Sequence, residues 1–280
     1  MQERTRSGPG GAGGRGSANP VVLPWRAMRP LVLLSNDDGY ESKSLHALRD
    51  ALDARGAEVV TVAPSTEQSA TSHSLSLHRP LRSRKHGEAI FSLDGTPADC
   101  VYIALHAGTR FLPRKPDLVV SGINRGLNLG QDVFYSGTVA AAREGALRGI
   151  PAFASSAHVL ADIPRIADLS ARLALALVGK TSSSGRAPLV SLNAPEIWNG
   201  EIRAVRLGAR LYDELVDVRQ DPRGRDYFWL GGPGVRHDPD PGSDTEAYDE
   251  GCVTLTSLLL DLTLASDVPF VDALVASALP

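Results

Sequence analysis

From Leu31 onward, short apolar runs alternate with stretches of helical periodicity, and this alternation limits the fold more than any other feature of the chain. The runs LVLLSN, AEVVTVAP and PDLVVSG are typical of buried strands. Residues 42–56 place apolar side chains on one helical face and end at a glycine, which is typical of a helix. Strands separated by helices pair in parallel, so the pattern predicts an α/β chain with a doubly wound, mainly parallel sheet.

The same pattern predicts the individual elements and one change of architecture. From about residue 198 to 252, short polar β-like pieces are separated by charged loops rich in proline and glycine. We interpret this stretch as an antiparallel excursion, called the arm below, that serves oligomer contacts; a strand and a helix follow it. Elsewhere the sequence predicts strands at 31–36, 57–64, 116–122, 150–156 and 187–193, a hairpin at 81–93, and helices at 42–56, from Pro97, at 136–149 and at 162–179.

The first 29 residues differ from the rest in composition, being rich in glycine, proline, arginine and serine without an apolar period. We predict that they form a disordered tail, or that the start is over-extended and Met28 begins the chain. They lack the apolar central region of a secretory signal. Residues 30–280 are then one α/β domain.

Charge and hydrophobicity exclude some classes of partner. The formal net charge of −3 leaves no basic excess for binding nucleic acid or a membrane surface. No apolar stretch approaches the roughly 20 residues that span a bilayer, so we expect a cytoplasmic protein. Cys100 and Cys252 are far apart and in no metal-ligand spacing, which favours two reduced cysteines.

Polar side chains follow three of the predicted strands, at the points where the strands end. Ligands of open α/β sheets bind at the carboxyl ends of the strands, so these clusters should line one crevice. The candidates are Asn36, Asp37, Asp38 and Gly39 after the first strand, Ser69 and His73 after the second, and Asn124, Asn128, Ser136, Gly137 and Thr138 after the third.

Asp37 and Asp38 are the most unusual of these residues, because two adjacent carboxylates stay ionised only beside a cation or strong donors. Their hard oxygen atoms suit Mg²⁺, Ca²⁺ or Mn²⁺ rather than zinc. With Ser69 and Asn124 they would form an all-oxygen metal site. The alternative is that one aspartate caps the following helix, which accounts for one acid more easily than for two.

The glycine-rich stretch 122–137 matches neither the dinucleotide-binding fingerprint nor the phosphate loop of nucleotide triphosphatases. It is either a flexible surface loop or an anion cradle in which Ser136, Gly137 and Thr138 begin a helix whose free N–H groups bind phosphate. His73 has two interpretations. It donates a hydrogen bond or proton to phosphate or to a leaving group, or it is an exposed loop histidine. Thr96 and Asp99 are compatible with a simple helix start or with a place near the crevice.

Four blocks, in this order and spacing, resemble the SurE (survival protein E) nucleotidases: LLSNDDGY, VAPSTEQSATSHSLSLHRPLR, LDGTPADCVYIAL and PDLVVSGINRGLNLGQDVFYSGTVAAAREGALRGIPAFASS. The segment DTEAYDEGCVTLTSLLLDLT is similar to their C-terminal strand, and the resemblance spans roughly residues 30–265. The departures are Ala70, where the family often has glycine, and Ser257, where it often has proline.

The resemblance implies a metal-dependent phosphomonoesterase that hydrolyses nucleoside 5′- and 3′-monophosphates, and sometimes short polyphosphate. It implies one Mg²⁺ or Mn²⁺ per subunit, with Asp37, Asp38, Ser69 and Asn124 as ligands. It also implies a Rossmann-like fold with a protruding hairpin, and a C-terminal segment exchanged between the subunits of a homodimer or homotetramer.

Two other functions compete with metal-assisted hydrolysis. A phosphatase that forms an aspartyl-phosphate would need an acid that attacks phosphorus and a downstream lysine, and residues 116–150 contain no lysine. A nucleotide-binding regulatory or stress module without turnover could bind phosphate through a helix N-terminus alone, so the metal cluster argues against it.

Overall fold

The computed structural model of the chain describes residues 29–212, 216–231, 234–238 and 240–278. The predicted tail therefore lies outside the described residues except for Arg29. The Arg29 guanidinium donates to Asp53 at 2.7 Å and to the carbonyl of Ala57 at 2.6 Å, so the folded part of the chain includes this residue.

Within these ranges, strands and helices alternate as the sequence predicted. The helices are α1 Lys43–Ala54, α2 Pro97–His106, α3 Gly137–Leu147, α4 Ile163–Leu175, α5 Asp244–Asp249 and α6 Val268–Ala278. The strands are β1 Leu31–Ser35, β2 Glu58–Pro64, β3 Ser83–Lys85, β4 Ile90–Leu93, β5 Leu118–Arg125, β6 Ala152–Ala157, β7 Leu189–Ala194, β8 Ile202–Ala204, β9 Arg210–Tyr212, β10 Val216–Gln220, β11 Asp226–Leu230, β12 Val235–His237 and β13 Val253–Ser257.

A nine-stranded sheet with the order β3-β4-β2-β1-β5-β6-β7-β13-β8 forms the centre of the molecule. The strands from β4 to β7 all pair in parallel, whereas β3 runs antiparallel to β4 and β13 runs antiparallel to β7. The chain builds the sheet outward from β1 in both directions, first through β2 and then through β5. The doubly wound, mainly parallel sheet is therefore confirmed, and its strand order reverses between β1 and β5.

The sheet is covered on both faces, and the alternation of side chains along β1 explains how. Val32 and Leu34 belong to the core beneath α1 and α4, whereas Leu31 and Leu33 belong to the core beneath α2 and α3. All four side chains are fully buried, as expected for a parallel strand with helices on both sides. Cys100 lies in the second core, and burial raises the pKa of its thiol well above the ordinary value.

The arm is antiparallel in part, as predicted. Strands β10 and β11 form an exposed hairpin and β9 pairs with β12, whereas β8 joins the central sheet beside β13. Helix α5 was not predicted, because six residues capped by Ser243 are too short to establish a helical period. The final strand and helix are confirmed as β13 and α6. None of the helices in the described ranges has the length and apolar character needed to cross a membrane.

Candidate active site

Residues 36–39, called the acid turn here, follow β1 at the carboxyl edge of the sheet. The buried Asn36 side chain donates to the carbonyl of Gly39 at 2.9 Å and closes the turn. Gly39 has a φ of +97°, and a Cβ there would lie 3.4 Å from the carbonyl carbon of Thr66. The positive φ of Gly39 therefore favours glycine at this position of the turn.

The carboxylate of Asp37 is buried against the N-terminus of α3. The hydroxyl and the backbone N–H of Thr138 both donate to it. Burial raises the pKa of Asp37, and these donors oppose that rise. A Cβ on Gly137 would lie 2.9 Å from the Cβ of Asp37 and 3.0 Å from Cγ of Pro97, so only glycine permits this close approach.

Asp38 is less buried than Asp37 and has an oxygen without a partner. Burial, followed by the charge of Asp37, raises the pKa of Asp38 to about 6, while the backbone N–H and the guanidinium of Arg125 lower it. The Oδ2 atom of Asp38 is inaccessible to solvent and has no hydrogen-bond partner among the described residues. The pair therefore concentrates negative charge where the protein provides little compensation.

The loop after β2, residues 65–76, wraps over the acid turn and is called the polar loop here. The backbone N–H of Gln68 donates to the carbonyl of Asp37 at 2.8 Å. Ser69 is exposed, and its hydroxyl donates to Glu67 at 2.7 Å. The charge of Glu67 raises the pKa of both aspartates, so the structure adds a third acid that the sequence analysis did not single out.

Thr96 and Asp99 have both of the roles that the sequence left open. They form a capping box at the start of α2, with the Thr96 hydroxyl accepting from the backbone N–H of Asp99 at 3.1 Å. The same hydroxyl donates to the carbonyl of Ser74 at 2.7 Å, and Asp99 accepts from the backbone N–H of Ser76 at 2.9 Å. The helix start therefore anchors the polar loop.

Asn124 lies near the end of β5, beside Arg125, whose backbone contacts Asp38. The Asn124 amide nitrogen donates to the carbonyl of Gly126 at 3.0 Å, so its amide oxygen is not used in this bond. Asn128 is buried instead, and its side chain donates to Ser156 at 2.7 Å. The Asn124 side chain thus bonds to the backbone at the end of β5, and Asn128 links the following loop to β6.

Ser136 begins α3, and its hydroxyl oxygen accepts from the backbone N–H of Val139 at 3.0 Å. The hydroxyl proton remains available to a ligand because the oxygen is the acceptor in that bond. In the first turn of α3, Thr138 therefore donates to Asp37. Ser136 and Gly137 lie at the same edge of the sheet. An anion cradle was predicted here, and one anion at this helix end is the carboxylate of Asp37 itself.

His73 lies along the flank of α3. Its Nε2 is 2.9 Å from Oε2 of Glu144, a side chain only 2% exposed, which also accepts from Arg148. Burial opposes ionisation of Glu144, but His73 and Arg148 outweigh it and lower the pKa of Glu144. Glu144 follows Gly137 by seven residues, about 10 Å along the helix axis. The contact between His73 and Glu144 could not be predicted from the sequence, because Glu144 and Arg148 resemble an ordinary surface i,i+4 pair.

A hard divalent cation fits the acid turn. The guanidinium of Arg125 acts on Asp38 through its charge, and Oδ1 of Asn36 is a second buried oxygen without a hydrogen-bond partner in the described ranges. Within those ranges, no three His, Cys, Asp or Glu side chains converge into a metal cluster. The oxygen donors that could hold the cation are therefore the two aspartates with a hydroxyl and an amide.

The fold and the site together define an α/β protein whose ligand site lies at the carboxyl edge of a parallel sheet, around paired acids and a helix N-terminus. The family model described as Survival protein SurE matches residues 32–214. The 5′-nucleotidase SurE of Sorangium cellulosum is 62% identical over 240 residues, covering 85% of this chain and 93% of that protein. The 5′-nucleotidase SurE of Geotalea daltonii is 44% identical over 237 residues, covering 83% and 94%.

Solved structures agree with the sequence comparisons. The crystal structure of the SurE protein from Aquifex aeolicus superposes with a TM-score of 0.75 at 35% identity, covering 88% of this chain and 99% of that one. The chain belongs to the SurE family. The predicted resemblance and fold class are thereby confirmed, and so is the prediction of an enzyme, because the curated relatives are named 5′-nucleotidases.

Proposed function

We propose that this chain is a nucleotide phosphomonoesterase that releases phosphate from nucleoside 5′-monophosphates around a divalent cation. The observation that supports it most is that Asp37 lies against the N-terminus of α3, while the adjacent Asp38 has a buried oxygen without a hydrogen-bond partner in the described residues. Membership of a family whose curated members are named 5′-nucleotidases supports the same activity.

The cation in this proposal is one Mg²⁺ or Mn²⁺ per chain, with Asp37, Asp38, Ser69 and Asn124 as its ligands. The support is chemical, because all four residues offer hard oxygen atoms and two of them are acids with raised pKa values. When bound, such a cation polarises phosphoryl oxygens and lowers the pKa of coordinated water. The charge of the cation would also lower the pKa values that burial raises, so that both aspartates stay ionised.

The residues around the cation have separate roles in the proposed reaction. Thr138 fixes the orientation of Asp37, and a carboxylate oxygen of Asp38 that does not bind the cation would orient the attacking water and accept its proton. The Ser136 hydroxyl and the backbone N–H of Gly137 donate to phosphate oxygens as negative charge develops. His73 and Asn128 act at a distance from the phosphate, through the hydrogen bonds that they make with Glu144 and Ser156.

The finer details of the activity extend the proposal. On the resemblance to the family, we include nucleoside 3′-monophosphates and short polyphosphate among the substrates, and a cytoplasmic location. We also propose a homodimer or homotetramer assembled through the arm and the C-terminal segment. The exposed apolar side chains of the β10–β11 hairpin and of α6 support this assembly, because water-exposed apolar surface favours association.

The test measures phosphate released from 5′-AMP, 3′-AMP and GMP with Mn²⁺ or Mg²⁺, with and without EDTA. We expect metal-dependent release, and a loss of about 100-fold or more in Asp38→Asn, because this change removes the base that receives the water proton. Asp50→Asn, on the exposed surface of α1, is the matched control and should retain wild-type turnover. Nucleotide binding without release would favour a regulatory module, and near-normal turnover of Asp38→Asn would refute the assignment.

A further inference from the structure

The phosphate end of the proposed site depends on a short turn that precedes α3. Residues Gly130–Phe134 form a 3₁₀ turn. The backbone carbonyl of Asp132 in this turn accepts from the N–H groups of Tyr135 and Ser136, each at 3.0 Å. The position of Ser136, and with it the start of α3, therefore follows the position of Asp132.

The side chain of Asp132 is held by β9, at the base of the arm. Its Oδ2 accepts from a guanidinium nitrogen of Arg210 and from the hydroxyl of Tyr212, both at 2.6 Å. Gln131 makes two further bonds to the backbone of Arg210, at 2.8 and 3.1 Å. These contacts connect residues about 80 positions apart in the chain, so tertiary structure rather than local sequence creates them.

The electrostatics of the contact favour a rigid connection. Asp132 is buried, and Arg210 neutralises its carboxylate directly. Burial, followed by the hydrogen bond to Asp132, raises the pKa of Tyr212 to about 12, so the phenol remains a proton donor throughout the neutral range. Hydrogen bonds to an ionised acceptor are among the stronger ones in proteins.

Asp244 ties the same two segments together from the other side. One carboxylate oxygen accepts from the backbone N–H of Gly130 at 2.9 Å, and the other accepts from that of Gly208 at 2.7 Å. Asp244 is fully buried, so these two amides take the place of water. The turn before α3 and the segment of the arm from Gly208 to Tyr212 are thus joined through two separate carboxylates, those of Asp132 and Asp244.

We propose that Tyr212 and Arg210 are positioning residues for the phosphate site: by holding Asp132 they fix Ser136 and the first turn of α3, and they couple the arm to catalysis. The inference rests on the proposed function in one respect, because it takes Ser136 and Gly137 to be the phosphate donors. Tyr212 is 45% exposed and is not part of the buried core. Removing its hydroxyl should therefore break the contact with Asp132 and change the stability of the protein little.

The experiment compares Tyr212→Phe with Tyr227→Phe in the full chain. Tyr227 lies on the exposed β11 strand of the same arm and pairs with Arg219 of β10, so it controls for changes to the arm itself. For each protein we would measure kcat and KM for 5′-AMP, the calorimetric Kd for inorganic phosphate with Mn²⁺ present, and the Tm. Arg210→Lys is a second variant that keeps the charge and loses the planar, multiple hydrogen bonding of arginine.

In Tyr212→Phe we expect kcat to fall about tenfold and the Kd for phosphate to rise by a similar factor, with the Tm close to that of Tyr227→Phe. Arg210→Lys should change kcat and the phosphate Kd in the same direction. Unchanged kcat and phosphate Kd in both variants would overturn the inference, as would equal changes in Tyr227→Phe. If the wild type released no phosphate, the proposed function would fail, whereas the phosphate Kd would still decide whether Tyr212 positions the site.

Discussion

Asp37 and Asp38 lie side by side in a buried turn, and each has a different local environment. Asp37 receives two donors from Thr138, while Asp38 retains an unpartnered oxygen and a pKa of about 6. Burial and mutual repulsion both favour protonation, so the protein holds these acids at an electrostatic cost. A bound cation would remove that cost, as the proposed metal site requires.

The sequence identified this pair because adjacent like charges are unfavourable in any fold. It could not identify the role of Thr138, whose hydroxyl meets Asp37 across 101 positions of the chain. The effect of Glu67 on the two aspartates could not be predicted from the sequence either, although Glu67 lies two positions before Ser69 in the polar loop. Contacts of this kind depend on how strands are ordered, which local patterns do not specify.

At the residue scale, Gly137→Ala tests how closely α3 must approach Asp37. The added methyl group would meet Asp37 at 2.9 Å and Pro97 at 3.0 Å, so the helix start or the carboxylate must shift. We expect turnover to fall about tenfold or more through misplacement of the acid, with about 1–3 kcal/mol lost from the free energy of unfolding.

The matched control for that change is Gly87→Ala. A Cβ on Gly87 would have only ordinary contacts of 3.8 Å or more, to Ile90, and this glycine lies in the loop between β3 and β4. Steady-state kinetics and chemical denaturation of both variants would check the prediction. Wild-type turnover in Gly137→Ala would mean that the approach of α3 to Asp37 is not required for activity.

Among the secondary-structure elements, α2 is preceded by a threonine, Thr96, whose hydroxyl makes two separate hydrogen bonds. Thr96 caps the helix and also donates to Ser74 in the polar loop that carries Ser69. The capping signal was visible in the sequence, since a threonine precedes Pro97 and Asp99 follows three positions after Thr96. The attachment of the polar loop was not, because it joins segments that are 22 positions apart.

Thr96→Val should therefore affect both stability and the loop. The substitution keeps the shape and removes the hydroxyl, so we expect a loss of about 1 kcal/mol in the free energy of unfolding from the cap alone. Thr96→Ser retains the hydroxyl and should stay closer to the wild type. Urea denaturation measures the loss, and equal stability of the valine and serine variants would contradict the role assigned to the hydroxyl.

Some of the other elements could be predicted from the local sequence, whereas others depend on tertiary contacts. Strands β1, β2, β5, β6 and β7 were predicted because both of their faces are buried and their apolar runs are nearly continuous. The antiparallel entry of β13 beside β7 was not predicted, because direction within a sheet is a property of the topology. Helix α5 was missed because its six residues depend on the cap at Ser243 and on packing against the sheet.

At the scale of the whole molecule, apolar surface is concentrated in two places that the central sheet does not cover. The β10–β11 hairpin exposes Phe228, Trp229 and Leu230, and α6 exposes Phe270 and Leu274 along with other apolar side chains. Exposed apolar area of this kind marks interaction surfaces in folded proteins. The arm is also the part of the chain that contacts the turn before α3, so assembly and activity would meet at β9.

Leu230→Glu tests whether the arm assembles the protein. Leu230 is 85% exposed in the single chain, so a charge there should disturb an interface without disturbing the fold. We expect size-exclusion chromatography with light scattering to report a smaller assembly than the wild type. Ile197→Glu, at a side chain 79% exposed outside the arm, is the control. An unchanged mass in Leu230→Glu would exclude this end of the β10–β11 hairpin from the interface.

Titration of the purified protein with Mn²⁺, followed by electron paramagnetic resonance, tests whether the acid turn holds one divalent cation. The free ion gives a strong signal that is lost on binding, so the titration yields both the number of sites and their affinity. We predict one Mn²⁺ per chain in the wild type and in Asp50→Asn, and affinity at least about tenfold weaker in Asp38→Asn, because a charged ligand is lost. Equal Mn²⁺ binding by Asp38→Asn and the wild type, or no binding by the wild type, would contradict the account.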